Sequence, residues 1–247
     1  MTTFLNLLNF FLSNIDSFFR SSPIVLTYHS VSDGKTPISV TVDNFRRQMT
    51  FLKESGTNII TLQNFLNFKD NKLKLSGRNI LITFDDAFKD VFFNALPILK
   101  ELGFPAAIFV NPSLLGGRAE FATRAEDKDR LICSISDLQQ LEKSSVAIAN
   151  HGYSHKQLSG LSEAEITFEY EKAFTWIEDN FKTNSYPNVF VFPQGAKNQQ
   201  VKLLLKNMGA RILDDRIDIY SDTTLFKFIL KLSRAYLWLR KRIFLIK

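Results

Sequence analysis

Two adjacent carboxylates, Asp85 and Asp86, follow directly after the mostly apolar run Asn79–Phe84. Such a run is typical of a buried strand, and the carboxyl ends of barrel strands are where active sites assemble. A single Asp at a strand end commonly caps the following helix. Two adjacent ones after an apolar strand favour acid–base or metal chemistry over a structural role.

Two of the three histidines lie at a second strand end. His151 and His155 follow the apolar run 146–149 and are four residues apart, so both imidazoles can chelate one metal ion if the turn between them is helical. Alone, such a pair is often only part of a polar loop. Together with an Asp at another strand end it supplies a His, His, Asp site. Three protein ligands leave a position for water, as in catalytic rather than structural sites.

Two further strand ends carry polar groups. His29, the third histidine, ends the apolar run Ile24–Tyr28 and could be a general acid or a hydrogen-bonded core residue. Gln194 lies in the turn Pro193–Gly195 after the apolar run 189–192, and free backbone N–H groups of such a turn could face a developing oxyanion. All three histidines therefore terminate predicted strands.

The elements that must position these groups are predicted from the alternation of short apolar runs with longer amphipathic stretches. The predicted strands span 24–28, 58–61, 79–84, 106–110, 146–149 and 189–192. The predicted helices span 42–55, 88–102, 136–143, 162–181 and 197–208. This alternation predicts an α/β fold with a parallel sheet, and at this length a barrel is preferred over an open sheet. The charged, aperiodic segment 115–130 is predicted to be a loop that covers or flanks the site.

The composition is that of an ordinary globular protein. Of the 247 residues, 45% are hydrophobic and 23% are charged, which excludes collagen-like and disordered chains. The single cysteine, Cys133, rules out an internal disulfide and a cysteine-only metal cage. The formal net charge of +6 lies in residues 221–247, because basic and acidic residues balance over the first 220. We therefore expect no nucleic-acid partner, and a local contact with an anionic surface instead.

Each terminal segment is predicted to be an amphipathic helix. Residues 1–20 place their polar side chains on one face, which favours packing on the core, and they lack the features of a secretory signal. In residues 221–247, Lys227 and Lys231 share one face of a largely apolar helix, a pattern suited to an anionic membrane surface. Core packing is an equal alternative for its first half. We expect a catalytic domain over 1–220, a separate basic helix after it, and a cytoplasmic protein held peripherally at the inner face of the membrane.

With these motifs the chain resembles the polysaccharide deacetylases, carbohydrate esterase family four, over 22–230. The run Thr83–Asp86 resembles the family's Thr-Phe-Asp-Asp-Gly motif, and His151 with His155 resembles its His-Ser/Thr-x-x-His motif. The run 26–29 is similar to the first-strand motif of a circularly permuted branch, the poly-N-acetylglucosamine deacetylases. The resemblance implies a distorted (β/α)7-type barrel in the circularly permuted deacetylase form.

The resemblance also implies a metal site. Asp86, His151 and His155 take the positions of the family's ligands for a divalent metal, usually Zn²⁺ and sometimes Co²⁺ or Ni²⁺. Asp85 takes the position of the general base.

Three further roles follow from the resemblance. His29 takes the position of the general acid, and the backbone N–H of Gln194 takes that of the oxyanion hole. Arg216 resembles the late arginine that orients the base in related sequences. For Arg216, a surface ion pair with neighbouring aspartates is an equally favoured interpretation.

The implied activity is metal-dependent removal of N-acetyl groups from amino sugars of a poly- or oligosaccharide, in cell-surface glycan biosynthesis. The implied partners are an N-acetylated glycan or a lipid-linked sugar. Three positions depart from the family's motifs: Ala87 replaces a glycine, Gly152 a Ser or Thr, and Gln194 an aromatic residue. The alternatives are therefore a catalytically impaired relative that binds glycan, or an O-acetyl esterase or deformylase on a lipid-linked sugar.

Overall fold

Within the described residues, ten strands and seven α-helices position the site. The computed structural model describes residues 22–34, 36–195, 198–220 and 223–224. The helix predicted over 1–20, and the basic helix predicted over 221–247 apart from residues 223–224, lie outside the described residues. In chain order the strands are β1 (Ile24–Tyr28), β2 (Ser30–Val31), β3 (Ser39–Val40), β4 (Asn58–Ile59), β5 (Asn79–Phe84), β6 (Ala106–Val110), β7 (Val146–Asn150), β8 (Ser185–Phe190), β9 (Arg211–Ile212) and β10 (Arg216–Asp218). The helices are α1 (Val42–Glu54), α2 (Leu62–Lys69), α3 (Leu96–Leu102), α4 (Ala125–Lys128), α5 (Ile135–Lys143), α6 (Glu163–Asn180) and α7 (Gln199–Asn207).

Eight of these strands form one parallel sheet. Its order is β10-β1-β5-β6-β7-β8-β9, with β4 paired to the start of β5. The short strands β2 and β3 form a separate parallel pair. The large sheet curls into a half-barrel packed against helices, which confirms the predicted α/β, barrel-like fold.

Strand β1 lies inside the sheet although it is the first strand of the described chain. Val25 pairs with Leu81 of β5 on one side and with Arg216 of β10 on the other. The strand that ends at His29 is thereby placed between the strand that precedes the two aspartates and the strand that carries the late arginine. The order of the strands alone therefore brings three of the predicted site segments next to one another.

Successive side chains of the central strands belong to two different hydrophobic layers, as strand geometry requires. Along β7, Ala147 and Ala149 belong to an inner cluster that also contains residues of α2, and their small size suits the narrow interior. Val146 and Ile148 belong to the outer cluster beneath α1, α3 and α5. Burial on both faces explains why these strands are near-continuous apolar runs.

Side-chain caps begin several of the helices. Thr41, Thr61 and Ser134 each accept a hydrogen bond from the backbone N–H three residues later. Ser162 and Glu165 form a reciprocal capping box at the start of α6. These caps satisfy N–H groups that have no partner within the helix.

The predicted strand 189–192 has the wrong bounds, because β8 begins at Ser185 and ends at Phe190. The register of β8 against β7 shifts partway along the pair. Pro187 lies within this irregular stretch, and proline, which lacks an N–H donor, occurs in strands at such irregularities. Because proline is atypical of a strand, the sequence pattern did not predict the first half of β8.

The predicted helix 88–102 is confirmed to within one residue, because helical backbone begins at Lys89 and continues to Leu102. Asp86 and Ala87 have left-handed φ angles of 68° and 56°, so a turn follows β5, and a π-helical turn at Val91–Ala95 then leads into α3. Helix α2 was not predicted. None of the helices in the described ranges is long and apolar enough to cross a membrane.

Candidate active site

One cavity of about 540 Å³ brings together every side chain that the sequence singled out for chemistry. It lies at the carboxyl ends of the central strands. The predicted site residues that line it are His29, Asp85, Asp86, His151, His155, Gln194 and Arg216. Residues from β10 and from the segment 121–127 complete the wall.

Three buried side chains form a cluster that could hold a metal ion. Oδ1 of Asp86 lies 3.2 Å from Nε2 of His151 and 3.1 Å from Nε2 of His155. One ligand atom from each residue lies within 4.8 Å of the others. This cluster is called the Asp-His-His cluster below.

The hydrogen bonding of His151 fits a cation at this place. Its Nδ1 lies 3.0 Å from the carbonyl oxygen of Val191, which can only accept, so Nδ1 carries a proton and Nε2 is the nitrogen left to bind a cation beside Asp86. Oδ1 of Asp86 is buried and accepts no hydrogen bond from any described residue. Two imidazole nitrogens and a carboxylate oxygen suit Zn²⁺, Co²⁺ or Ni²⁺.

The electrostatic field of the cluster also favours a cation. Burial lowers the pKa of His151, but the carboxylates of Asp86 and Asp85 outweigh it and hold that pKa above the ordinary value. Burial raises the pKa of Asp86, yet the two imidazoles hold it well below the usual range. A buried carboxylate that stays ionised beside two imidazole nitrogens suits a metal ion, which binds such groups in their deprotonated forms.

Asp85, the neighbouring carboxylate, is held by Arg216. Nη1 of Arg216 lies 2.8 Å from Oδ1 and 2.7 Å from Oδ2 of Asp85. Burial raises the pKa of Asp85, and Arg216 together with His151 and His29 reverses the shift, so that this pKa lies below its ordinary value. Arg216 therefore contacts the predicted base and does not belong to a surface ion pair.

His29 forms another part of the cavity wall. Its ring lies 6.1 Å from the ring of Tyr220, with the planes 24° apart in a stacked arrangement. Its buried Nδ1 has no hydrogen-bond partner among the residues that the structure describes. Tyr220 and Asp218 line the cavity as well, and the sequence analysis did not single them out for a role in the site.

The three positions where the chain departs from the family's motifs all have left-handed backbone. The φ angles are 56° at Ala87, 79° at Gly152 and 56° at Gln194. For an L-residue this conformation costs about 1–2 kcal/mol. Ala87, which stands where the first motif has a glycine, therefore adopts a conformation that favours glycine. Such strain is typical of functional sites.

The loop that carries the two cluster histidines is held by the side chains of two asparagines. Nδ2 of Asn111 donates to the carbonyl oxygens of His151, at 2.6 Å, and of Gly152, at 3.1 Å. Oδ1 of Asn150 accepts from the backbone N–H of Gly152 at 2.8 Å. These bonds brace the loop although Gly152 lacks the hydroxyl of the family's motif.

A buried carboxylate braces the same loop from α6. Glu169 accepts hydrogen bonds from the backbone N–H of Ser154 at 2.8 Å and from its hydroxyl at 2.5 Å. Sequence reasoning missed both Asn111 and Glu169. Asn111 follows an apolar strand, as the identified groups do, and Glu169 lies on the face of α6 whose other residues are buried.

The predicted loop 115–130 forms one wall of the cavity. The ring of Phe121 lies 4.1 Å from the ring of His155. At the other end of the loop, Arg130 binds Asp90 at 2.5 Å and Asp127 at 3.2 Å. This half-buried, doubly paired arginine fixes the wall in place.

Both the sequence and the fold of the chain are similar to those of known proteins. The profile of the polysaccharide deacetylase family matches residues 72–213. The poly-beta-1,6-N-acetyl-D-glucosamine N-deacetylase of Staphylococcus aureus (strain MSSA476) is 27% identical over 206 residues, which are 81% of this chain and 66% of that protein. YxkH of Bacillus subtilis (strain 168) is 23% identical over 185 residues, 75% of this chain and 61% of that protein. The chain thus spans less than two thirds of the length of these curated relatives.

Solved structures share the fold. IcaB from Ammonifex degensii has a TM-score of 0.71 at 18% identity, with 85% of this chain and 97% of that chain covered. The Streptococcus pyogenes deacetylase PplD in complex with acetate has a TM-score of 0.70 at 17% identity, with the same 85% and 97% covered. The profile covers more than half of the sequence, including the two aspartates and both histidines of the cluster. By this match the chain belongs to the polysaccharide deacetylase family.

Proposed function

We propose that this chain is a metal-dependent hydrolase that removes N-acetyl groups from amino sugars of a poly- or oligosaccharide during cell-surface glycan biosynthesis. The observation that carries the proposal is a single cavity that contains the Asp-His-His cluster, the Asp85–Arg216 pair and the His29 ring. The named activity of the Staphylococcus aureus relative supports the substrate class.

Hydrolysis of an acetamide needs a base for the attacking water, hydrogen bonds for the oxyanion and a proton for the departing amine. Asp85 accepts the proton of the water, and Arg216 keeps its carboxylate ionised and oriented. Gln194 lines the cavity with a left-handed φ of 56°, and its backbone N–H is the group proposed to stabilise the oxyanion. Protonated His29 donates to the sugar nitrogen as the C–N bond breaks, which releases acetate and a free amine.

The Asp-His-His cluster is proposed to hold Zn²⁺, with Co²⁺ or Ni²⁺ as substitutes. A divalent metal bound there lowers the pKa of water towards about 7 and polarises the acetyl carbonyl. The chain supplies three ligand atoms, and a site with three protein ligands keeps positions open for water and substrate. The metal found after purification from zinc-supplemented and cobalt-supplemented cultures identifies the ion that the site prefers.

The test of the activity is acetate release from a short β-1,6-linked N-acetylglucosamine oligosaccharide by the zinc-loaded protein. Asp85→Asn keeps the cluster and the shape of the side chain but removes the base, so the rate falls by about a hundredfold or more. Undiminished activity in Asp85→Asn counts heavily against the proposal. Faster hydrolysis of an O-acetylated or N-formylated sugar than of the N-acetylated one replaces it with the esterase or deformylase alternative.

We also propose that the basic segment 221–247 holds the protein at the inner, anionic face of a membrane, where it reaches lipid-linked glycans. The charge and apolar pattern of that segment support the proposal. Co-sedimentation of the full chain with vesicles tests it. We expect binding to vesicles with 30% anionic lipid, loss of binding in high salt, and none to neutral vesicles. Equal sedimentation with both vesicle types contradicts it.

A further inference from the structure

Glu169 is a buried carboxylate that no step of the proposed reaction uses. It lies on α6 and is 2% exposed. Its Oε2 accepts the backbone N–H of Ser154 at 2.8 Å, and its Oε1 accepts the hydroxyl of the same residue at 2.5 Å. Both carboxylate oxygens are therefore committed to the residue that immediately precedes His155.

His155 depends on such support more than His151 does. The ring of His151 is fixed by the hydrogen bond of its Nδ1 to Val191 at 3.0 Å. The Nδ1 of His155 is buried and has no hydrogen-bond partner in the described ranges, and its backbone has the left-handed φ of 58°. Its ring is therefore oriented by the contact with Phe121 and by the backbone from which it projects.

We infer that Glu169 is a positioning residue for His155. By holding Ser154 through both of its carboxylate oxygens, it fixes the backbone of the next residue and so sets how tightly the Asp-His-His cluster binds a divalent cation. In many metal sites each ligating imidazole is oriented by a hydrogen bond from its other ring nitrogen. Here His151 has such a bond, to Val191, whereas His155 is supported through its main chain by the contacts of Glu169 with Ser154. The inference rests on the metal site of the proposed function.

The test is titration of the metal-free full chain with Co²⁺, which reports both the affinity and, through its visible absorption bands, the coordination geometry. Glu169→Ala is expected to weaken Co²⁺ binding by about 10- to 100-fold and to change the absorption spectrum. Glu169→Gln is expected to lie between it and the wild type, because the amide oxygen still accepts the N–H of Ser154. A role limited to the stability of the fold changes neither the affinity nor the spectrum.

The same helix offers a matched control. Glu165 also accepts the backbone N–H and the hydroxyl of a serine, Ser162, at 2.9 and 2.8 Å, but at the exposed start of α6. Glu165→Gln is expected to lower the thermal stability and leave Co²⁺ affinity and spectrum unchanged. Wild-type affinity and spectrum in Glu169→Ala overturn the inference. If Glu169→Ala does not fold, the Co²⁺ affinity and spectrum of Glu169→Gln and Ser154→Ala are measured instead. Wild-type values in these two variants then overturn the inference. A wild-type chain that binds no Co²⁺ overturns the proposed function and this inference together.

Discussion

Arg216 and Asp85 form a buried ion pair across 131 positions of the sequence, with Nη1 lying 2.8 and 2.7 Å from the two carboxylate oxygens. The side chains are only 13% and 3% exposed. A buried pair adds little net stability, but removing one partner leaves an uncompensated charge in the interior. The ionised state of the proposed base therefore depends on an arginine near the end of the described chain.

Arg216→Gln is expected to lower the free energy of unfolding by about 3 kcal/mol, because the charge of Asp85 then lacks its partner. Asp85→Asn in the Arg216→Gln background removes that charge, so the double variant is expected to be more stable than Arg216→Gln alone. Urea unfolding of the two single variants and the double variant measures this coupling. Strictly additive losses contradict it.

An exposed arginine pair provides the control for this cycle. Arg211 lies 2.7 Å from Asp70, with both side chains 32% exposed. Solvent screens such a pair, so Arg211→Gln is expected to cost no more than about 1 kcal/mol. It is also expected to leave acetate release at the wild-type rate.

The metal content of alanine variants is expected to distinguish His151 and His155 from His29. His151→Ala and His155→Ala each remove a ligand atom of the Asp-His-His cluster, so elemental analysis of the purified variants should show the metal lost from both. His29→Ala is expected to keep near-stoichiometric metal, because its ring lies on the cavity wall outside the cluster, and to lose acetate release. A folded wild type without metal, even after soaking, favours the glycan-binding alternative.

Replacing glycine with alanine is expected to destabilise the fold at Gly152 but not at Gly160. Gly152 has a φ of 79°, and an added Cβ finds ordinary contact distances of 3.5 Å, so the cost of Gly152→Ala is backbone strain of about 1–2 kcal/mol. Gly160 is outside the left-handed region and has nothing within 4 Å of an added Cβ. Gly160→Ala is expected to be neutral or to stabilise by up to about 1 kcal/mol. Chelator-treated protein unfolded in urea measures both, and equal effects contradict this account.

The capping residue Asp137 gives the fold a pH dependence that is independent of the cavity. Its Oδ2 accepts the N–H and hydroxyl of Ser134 at 2.8 and 2.7 Å and lies 3.2 Å from Nζ of Lys89. Burial raises the pKa of Asp137, and these contacts reverse the shift and hold it below the ordinary value. The stabilisation is therefore complete above the unfolded pKa of about 3.9 and is lost as the pH falls through the lowered pKa.

Asp137→Asn is accordingly expected to lower the free energy of unfolding by about 1.5 kcal/mol at neutral pH. The difference from the wild type is expected to shrink as the pH is lowered below about 4, since the wild-type carboxyl then becomes protonated as well. Urea unfolding of the metal-free proteins over this pH range measures the difference. A difference that is independent of pH would show that charge has no part in it.

Strand ends could be predicted from the sequence because a polar group after an apolar run is a local pattern. Asp86 and His151 each lie two residues after such a run, and the parallel sheet brings both to the same edge. The bracing groups depend on tertiary contacts instead. The role of Glu169 can be recognised only when α6 packs beside the loop that carries the two histidines. The one indication of it in the sequence is a carboxylate among the apolar positions of a predicted helix.

Element bounds were less predictable where the backbone does not follow the side-chain pattern. The π-helical turn at Val91–Ala95 lies inside the predicted helix, and apolar spacing alone does not distinguish it from an α-helical turn. Pro187 similarly conceals the start of β8. The short strands β9 and β10 were missed because two or three residues carry too little alternation to be recognised.

The pairing of β1 with β10 sets an order of events during synthesis. Strand β1 can pair with β5 early, but its other edge can pair with β10 only after residues near position 216 have left the ribosome. The cavity is therefore completed after nearly all of the described chain has been translated. A product terminated before Arg216 contains every side chain of the Asp-His-His cluster. It also leaves one edge of β1 open to pairing with another chain, and it has no guanidinium beside Asp85.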